Sequence, residues 1–523
     1  MYPIIESNEH ITLTETMVEM NDGVRLYTRY VVPNGVNTCP TVFVRTPYEP
    51  AHGGEPHGLE RYANNRFIQH GYAVVVQHCR GRGDSEGVCQ PYVEREDGLA
   101  TLEFIRKLPF YNGEIYVTGG SYLATVHLCY FSARPHDIKG AALHIQTDRM
   151  YFRNFKNGCN YALSNISWWS LMLDRIYPEP NKSEKGKRPY IDTAKRMFGE
   201  DVPEYTKHLI HNEYDAYWKD DPRVDVVDSM DFPVLLTEGW YDFYIGGMLD
   251  MWSRFKESTK KCSAMFVGPY GHKTKVSSTS GYPLDNGDLP DDYIVEWFDS
   301  IREKRPYRYA TLGKVNYYSI GADEWRATEY PRCSSGFLRL YLESGARLSN
   351  NKPEREDSQT YVYDPEYKSN PYGLHNMYKA FAPDSEEGVL SFISEPVQSD
   401  QSFFGNVKLH LNVSTDCDDT AFFMRMYFVD GEDAYNLTET VGSISYFYDD
   451  YKAGEKIALD LECTPIAFTL KKGMRIRIDV SSKSGVYSPH ANVKGHFAYV
   501  DSTRVAKNTV YIGESYVELP FEN

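Results

Sequence analysis

Ile115-Tyr116-Val117-Thr118-Gly119-Gly120-Ser121-Tyr122-Leu123-Ala124 is the stretch on which the fold turns. A short β-branched and aromatic run, Ile115 to Thr118, reads as a strand. Two glycines then lead into Ser121, and the apolar residues that follow read as a helix. A serine at a sharp strand-to-helix turn needs small neighbours, because the strained turn crowds them. This is the pattern of a nucleophile elbow. The usual Gly-x-Ser-x-Gly form is not met, since position 123 is Leu, and a plain strand-to-helix turn would look similar.

Working outward, the segments on either side repeat the alternation of strand and helix. Thr41-Val42-Phe43-Val44 and Tyr72-Ala73-Val74-Val75-Val76 are apolar runs, and Leu99, Leu102, Phe104 and Ile105 fall at helical spacing between Asp97 and Lys107. After residue 229 the alternation resumes with Pro233-Val234-Leu235-Leu236-Thr237, Ala264-Met265-Phe266-Val267 and a last helix over Tyr293 to Glu303. Continuous apolar strands separated by helices predict a parallel sheet covered on both faces. Residues 146–229 break the pattern: they are rich in aromatics and charge, with helices over 160–176 and 193–198, and read as a helical cap inserted between sheet strands. From 313 onward the strands become short and alternating, as in Phe337-Leu338-Arg339-Leu340-Tyr341-Leu342 and Ile476-Arg477-Ile478-Asp479-Val480, which predicts an all-β sandwich. The expected organisation is therefore an α/β core over 1–145 and 230–312, a cap over 146–229 and a β-sandwich over 313–523.

Two further segments complete a candidate site. Gly239-Trp240-Tyr241-Asp242 and Gly268-Pro269-Tyr270-Gly271-His272 each follow a predicted strand. Singly, Asp242 could cap a helix and His272 could sit in a surface loop. Together with Ser121 they run in the order Ser, Asp, His, which is the order of the α/β-hydrolases. In such a set the imidazole takes the serine proton, the carboxylate fixes the tautomer, and hydrogen-bond donors meet the developing oxyanion. The backbone N–H of Tyr122 is one donor. The second comes from the loop after Thr41–Val44, from either the Tyr48 phenol or the backbone of His52-Gly53-Gly54.

Composition bounds the rest. The chain has 523 residues, a length suited to about three domains, is 41% hydrophobic and carries a net charge of −17. An acidic balance argues against a nucleic-acid partner, and no apolar run is long enough to span a bilayer. The first residues lack the basic and apolar segments of a secretory signal, and nine scattered Cys with no CxxC pair read as reduced thiols, so a cytoplasmic protein is expected. No metal-ligand or cofactor motif is found. The expected partner is a small-molecule ester or amide, with neither nucleic acid nor membrane, and a homo-oligomer is compatible with the sequence.

These motifs resemble the cocaine esterase/NonD family of hydrolases, related to the X-Pro dipeptidyl-peptidases of the S15 type and to α-amino-acid ester hydrolases. The resemblance runs nearly end to end. It rests on Met20-Asn21-Asp22-Gly23, Arg45-Thr46-Pro47-Tyr48, Arg80-Gly81-Arg82-Gly83-Asp84-Ser85-Glu86-Gly87, the three triad segments, Tyr363-Asp364-Pro365 and Lys472-Gly473-Met474-Arg475. It implies a hydrolase core, a helical cap and a C-terminal jelly roll of the galactose-binding-like type. It also implies that Tyr48 supplies the side-chain oxyanion donor beside the Tyr122 N–H. In the family the elbow reads Gly-x-Ser-Tyr-x-Gly, which accounts for Leu123. Departures are Ala124 at the last elbow Gly, His78-Cys79 where an Asp is usual, and Met474 for a common His.

Trp168, Trp169, Trp240, Phe243 and Tyr244 are the expected lining of a pocket for a bulky apolar acyl group, though some of them would instead pack cap onto core. Relatives acting on free α-amino groups place acidic residues just after the triad acid, where this chain has Phe243-Tyr244-Ile245. A carboxylesterase or acylase is therefore favoured over an X-Pro aminopeptidase, with Asp148 and Asp174 as the residues that could still hold an amine. An inactive binding or scaffold protein is the reading from another class.

Overall fold

The computed structural model describes residues 4–48, 65–161, 165–276, 282–366, 377–383 and 385–522. Its first sheet begins with β1 (Ile4–Ser7), β2 (Ile11–Glu19), β3 (Arg25–Pro33), β4 (Cys39–Thr46), β5 (Ala73–His78), β6 (Tyr111–Gly120) and β7 (Ile138–His144). A two-strand hairpin, β8 (Phe155–Lys156) and β9 (Cys159–Asn160), lies outside this sheet. The sheet then continues with β10 (Val234–Gly239), β11 (Ala264–Gly268), β12 (Val315–Ser319) and β13 (Glu324–Thr328). The spatial order is β1-β2-β3-β5-β4-β6-β7-β10-β11-β12-β13. Strands from β5 across to β12 run parallel, and antiparallel ribbons close both edges. Every residue of β10 and β11 is buried, as a sheet covered on both faces requires.

The core sheet extends past the expected boundary at 312. β12 pairs with β11 and β13 folds back on it, so the first sheet takes in residues to Thr328. β12 is buried throughout and β13 is largely half-exposed, and their pairing partners assign them to the core.

Between β7 and β10 the chain forms short helices, including Asn165–Met172, Thr193–Phe198 and Pro203–Ile210. They bury a core of their own around Ile166, Trp169, Met197, Tyr205 and Leu209. After Phe337 a second large sheet is built mainly from antiparallel strands, with Ala421–Asp430 and Asp433–Ser443 forming its longest hairpin. One continuous apolar cluster runs from Phe43 and Val117 in the first sheet to Phe404, Leu461 and Leu519 in the C-terminal β domain. The site therefore sits on a frame whose core and β domain share buried surface.

Candidate active site

The parallel strands end at one edge. Gly120 is in register with His144, and Gly239 with Gly268, so the chain leaves β6, β10 and β11 side by side. In open parallel sheets this carboxyl edge is where sites form. Ser121 follows Gly120 with φ 55° and ψ −125°, a left-handed-side conformation that a residue with a Cβ adopts only when its surroundings impose it. A Cβ on Gly119 would lie 2.5 Å from the Leu123 backbone, so glycine is required there. The Gln146 amide donates to the Ser121 carbonyl oxygen at 3.3 Å and the Ser121 N–H donates to the His144 carbonyl at 2.9 Å, which fix the turn. Ala124, buried beneath it, donates its N–H to the Ser121 carbonyl at 2.9 Å.

The loop after β10 brings Asp242 to the same edge. A Cβ on Gly239 would lie 1.9 Å from the Tyr270 carbonyl oxygen, and this close approach binds the β10 and β11 loops together. His272 Nδ1 lies 2.6 Å from Asp242 Oδ2, and its Nε2 lies 3.0 Å from Ser121 Oγ. Asp242 Oδ1 accepts the Tyr244 N–H at 2.8 Å, so both carboxylate oxygens are occupied. Because a carboxylate only accepts, the imidazole proton sits on Nδ1 and leaves Nε2 to take the serine proton. Beneath Asp242, burial and then the Asp242 charge push the Glu238 carboxyl well above the usual range.

Tyr48 lies at the end of β4, and its hydroxyl accepts the Trp168 indole N–H at 2.9 Å and reaches the Ser121 side chain. Loss of water around the phenol tip pushes its pKa up, keeping it a donor. The Arg-Gly segment braces it: Arg82 Nε donates to the Pro47 carbonyl at 2.9 Å, and its Nη1 donates to Asp174 at 2.5 Å. His78 Nδ1 accepts the Asp84 N–H at 3.1 Å and so caps this loop. Tyr122 opens the helix Tyr122–Phe131, and the first N–H groups of a helix have no acceptor within it. His52-Gly53-Gly54, the competing donor segment, lies outside the described residues.

Of the expected pocket residues, three come together. Phe243 stacks on His272 with centroids 4.7 Å apart, Tyr244 lies 6.1 Å from the same ring, and Trp168 packs on Tyr122 at 5.1 Å. Two do not. Trp169 is one residue round the helix from Trp168, which turns it by about 100° into the cap core against Tyr205 and His208. Trp240 points away from the site, its indole N–H donating to the Tyr318 carbonyl at 2.8 Å, and packs on Phe404 of the β domain. Asp148 is buried and gripped by Arg254 through two bonds, while Asp174, half-exposed, pairs with Arg82.

Sequence reading missed Tyr92 and Arg153. Tyr92 holds φ at 74°, donates its N–H to the Tyr122 hydroxyl at 2.7 Å and stacks on Trp168. Arg153 lies 4.8 Å over the Phe243 ring. Neither stands in a motif, and both are distant in sequence from what they touch. Among the described residues no group of three or more His, Cys, Asp or Glu side chains is arranged to hold a metal. Among the same residues no helix is long and apolar enough to cross a membrane.

The family model of the X-Pro dipeptidyl-peptidase S15 family matches residues 22–274, and that of the X-Pro dipeptidyl-peptidase C-terminal non-catalytic domain matches 308–518. The sequence is 24% identical to the cocaine esterase of Rhodococcus sp. (strain MB1 Bresler), covering 97% of this chain and 98% of that protein. An α-amino acid ester hydrolase structure superposes over 100% of this chain and 98% of its own, with a TM-score of 0.83 and 20% identity. A CocE/NonD family hydrolase from Staphylococcus aureus does so over 100% and 96%, with a TM-score of 0.70 and 17% identity. Both structures share the fold of this chain: an α/β-hydrolase core with a C-terminal β domain.

Proposed function

We propose, for a chain that is a serine hydrolase of the cocaine esterase/NonD type acting on esters or amides, that Ser121 is its nucleophile, His272 its base and Asp242 the acid that orients the base. The observation that carries the reading is the unbroken chain from Asp242 through His272 to Ser121, at 2.6 and 3.0 Å, ending on a strained serine. Ser121 Oγ attacks the acyl carbon as Nε2 removes its proton. The Tyr122 N–H and the Tyr48 hydroxyl donate to the oxyanion. The imidazolium then protonates the leaving oxygen or nitrogen, the acyl group stays on Ser121, and water activated by the same imidazole releases it.

Within that chemistry we favour a carboxylesterase or acylase with an aromatic-walled acyl site formed by Trp168, Phe243 and Tyr244. The ion pairs that occupy Asp148 and Asp174, and the absence of acidic residues directly after Asp242, support this over an aminopeptidase. The similarity to a protein named as a cocaine esterase points the same way, while the S15 match keeps X-Pro peptides as the second reading. The odd number of scattered cysteines supports a reducing, cytoplasmic setting.

A fluorophosphonate probe tests the nucleophile: wild type labels at Ser121, and Ser121→Ala neither labels nor turns over while it melts like wild type. Absence of labelling in the wild type would return the chain to the inactive-scaffold reading. With labelling in hand, p-nitrophenyl esters are compared with X-Pro-p-nitroanilides, and preference for the anilides reverses the ranking.

A further inference from the structure

A cavity of about 590 Å³ lies beside the triad acid, walled by Asp242 and Phe243, by the cap segment carrying Tyr151 and Arg153, and by Tyr446 and Tyr487 of the β domain. Its charges are unevenly matched. Asp250 on its wall is held by Arg149 and Arg254, and Asp460 at its mouth by His410. Lys156, also on the wall, feels Glu439 and Glu462 only through their field, and burial pulls its ammonium pKa down. Arg153 has no such partner. It is 9% exposed, and among the described residues no carboxylate comes within ion-pair distance of it. Its Nη1 donates to the Asn154 side chain at 3.0 Å. The guanidinium lies over Phe243 at 4.8 Å and over Tyr161 at 5.6 Å.

A guanidinium removed from water without a counter-charge is costly, and such groups are normally paired. Aromatic faces recover part of that cost. Its remaining donors are fixed in a planar fork that matches a carboxylate. The Phe243 ring under Arg153 is the ring that stacks on His272 at 4.7 Å, so a single aromatic ring separates the guanidinium from the base. An anion paired with Arg153 would therefore sit one aromatic ring away from the base.

We infer that the substrate is an ester or amide bearing a free carboxylate, which Arg153 receives in the cavity beside Phe243. This rests on the serine-hydrolase reading and names its substrate class. Arg153 is a specificity residue, and the substrate carboxylate supplies the counter-charge that no described residue gives it. Asp250 on the wall is met by Arg149 and Arg254, so an incoming anion finds in Arg153 a guanidinium with no carboxylate at ion-pair distance among the described residues.

The test uses two matched ester pairs on the full-length protein. In the first the carboxylate is on the acyl side: mono-p-nitrophenyl adipate against p-nitrophenyl hexanoate. In the second it is on the leaving group: 4-carboxyphenyl butyrate against phenyl butyrate. One pair shows at least a tenfold preference in kcat/KM for the anionic member, carried by KM. In Arg153→Met that ratio collapses to near one, and Arg153→Lys, which keeps charge without the fork, restores part of it. Adipate alone inhibits hexanoate hydrolysis competitively in the wild type, which needs no variant to fold. Fluorophosphonate labelling of Ser121 is read in parallel. Labelling with no anionic preference in either pair, or a preference that survives Arg153→Met, overturns the carboxylate inference and leaves the hydrolase standing. No labelling brings down the underlying reading instead.

Discussion

At the residue scale, the site depends on side chains held where their chemistry is set by neighbours. Ser121 holds a conformation that its own Cβ disfavours, and Gly119, Gln146 and His144 hold it there. Burial and the Asp242 charge push the Glu238 carboxyl up, while Asp242 Oδ2 above it meets His272 at 2.6 Å. The sharpest residue-level prediction concerns Tyr48. If its hydroxyl donates to the oxyanion, Tyr48→Phe lowers kcat by roughly 10²–10³-fold with little change in KM. The partner Trp168 still packs on Tyr122, so the variant's melting temperature stays close to wild type. An unchanged kcat would hand the role to His52-Gly53-Gly54.

At the scale of elements, the helices and strands around the site bury histidines in their neutral form. Burial lowers His127, in the helix beneath the elbow, from 6.5 to about 3. It lowers His144, at the end of β7, and His208, in a cap helix, to about 4 each. A folded pKa below the unfolded one means that the unfolded chain binds protons first as pH falls. The stability these groups allow is fully present above pH 6.5 and is lost progressively toward pH 4. A tenfold weakening of proton binding on folding corresponds to about 1.4 kcal/mol. Urea midpoints measured at pH 7, 5.5 and 4.5 are expected to fall steeply, and His208→Asn, which cannot take the charge, flattens the slope. An identical slope in that variant would remove His208 from the account.

For the whole molecule, the hydrolase sheet and the C-terminal β domain do not part cleanly. Trp240 and Tyr317 pack on Phe404, and the Tyr241 hydroxyl donates to the Asn436 carbonyl at 3.0 Å. Trp240 and Tyr241 immediately precede Asp242, so the loop carrying the acid is anchored in the β domain. A fragment ending at residue 333 exposes that buried aromatic surface. It is expected to bind a hydrophobic dye, to lack a cooperative thermal transition and to hydrolyse no ester. A soluble fragment with a sharp melt and wild-type activity would show the β domain to be dispensable.

The sequence alone determined the alternation of strands and helices, the carboxyl-edge positions of Ser121, Asp242 and His272, and the class of chemistry. These are local matters: hydrophobic period, glycine placement and chain order are written within a few residues of each other. It did not determine which aromatics face the site. Trp168 and Trp169 are neighbours with opposite fates, and Trp240 lies two residues from Asp242 yet turns into another domain's core. Nor did it disclose that Arg153 has no counter-charge among the described residues, or that Asp148 and Asp174 pair with arginines. Those facts depend on what distant segments bring within a few ångströms, and only the tertiary structure decides which charges are left for a substrate to neutralise.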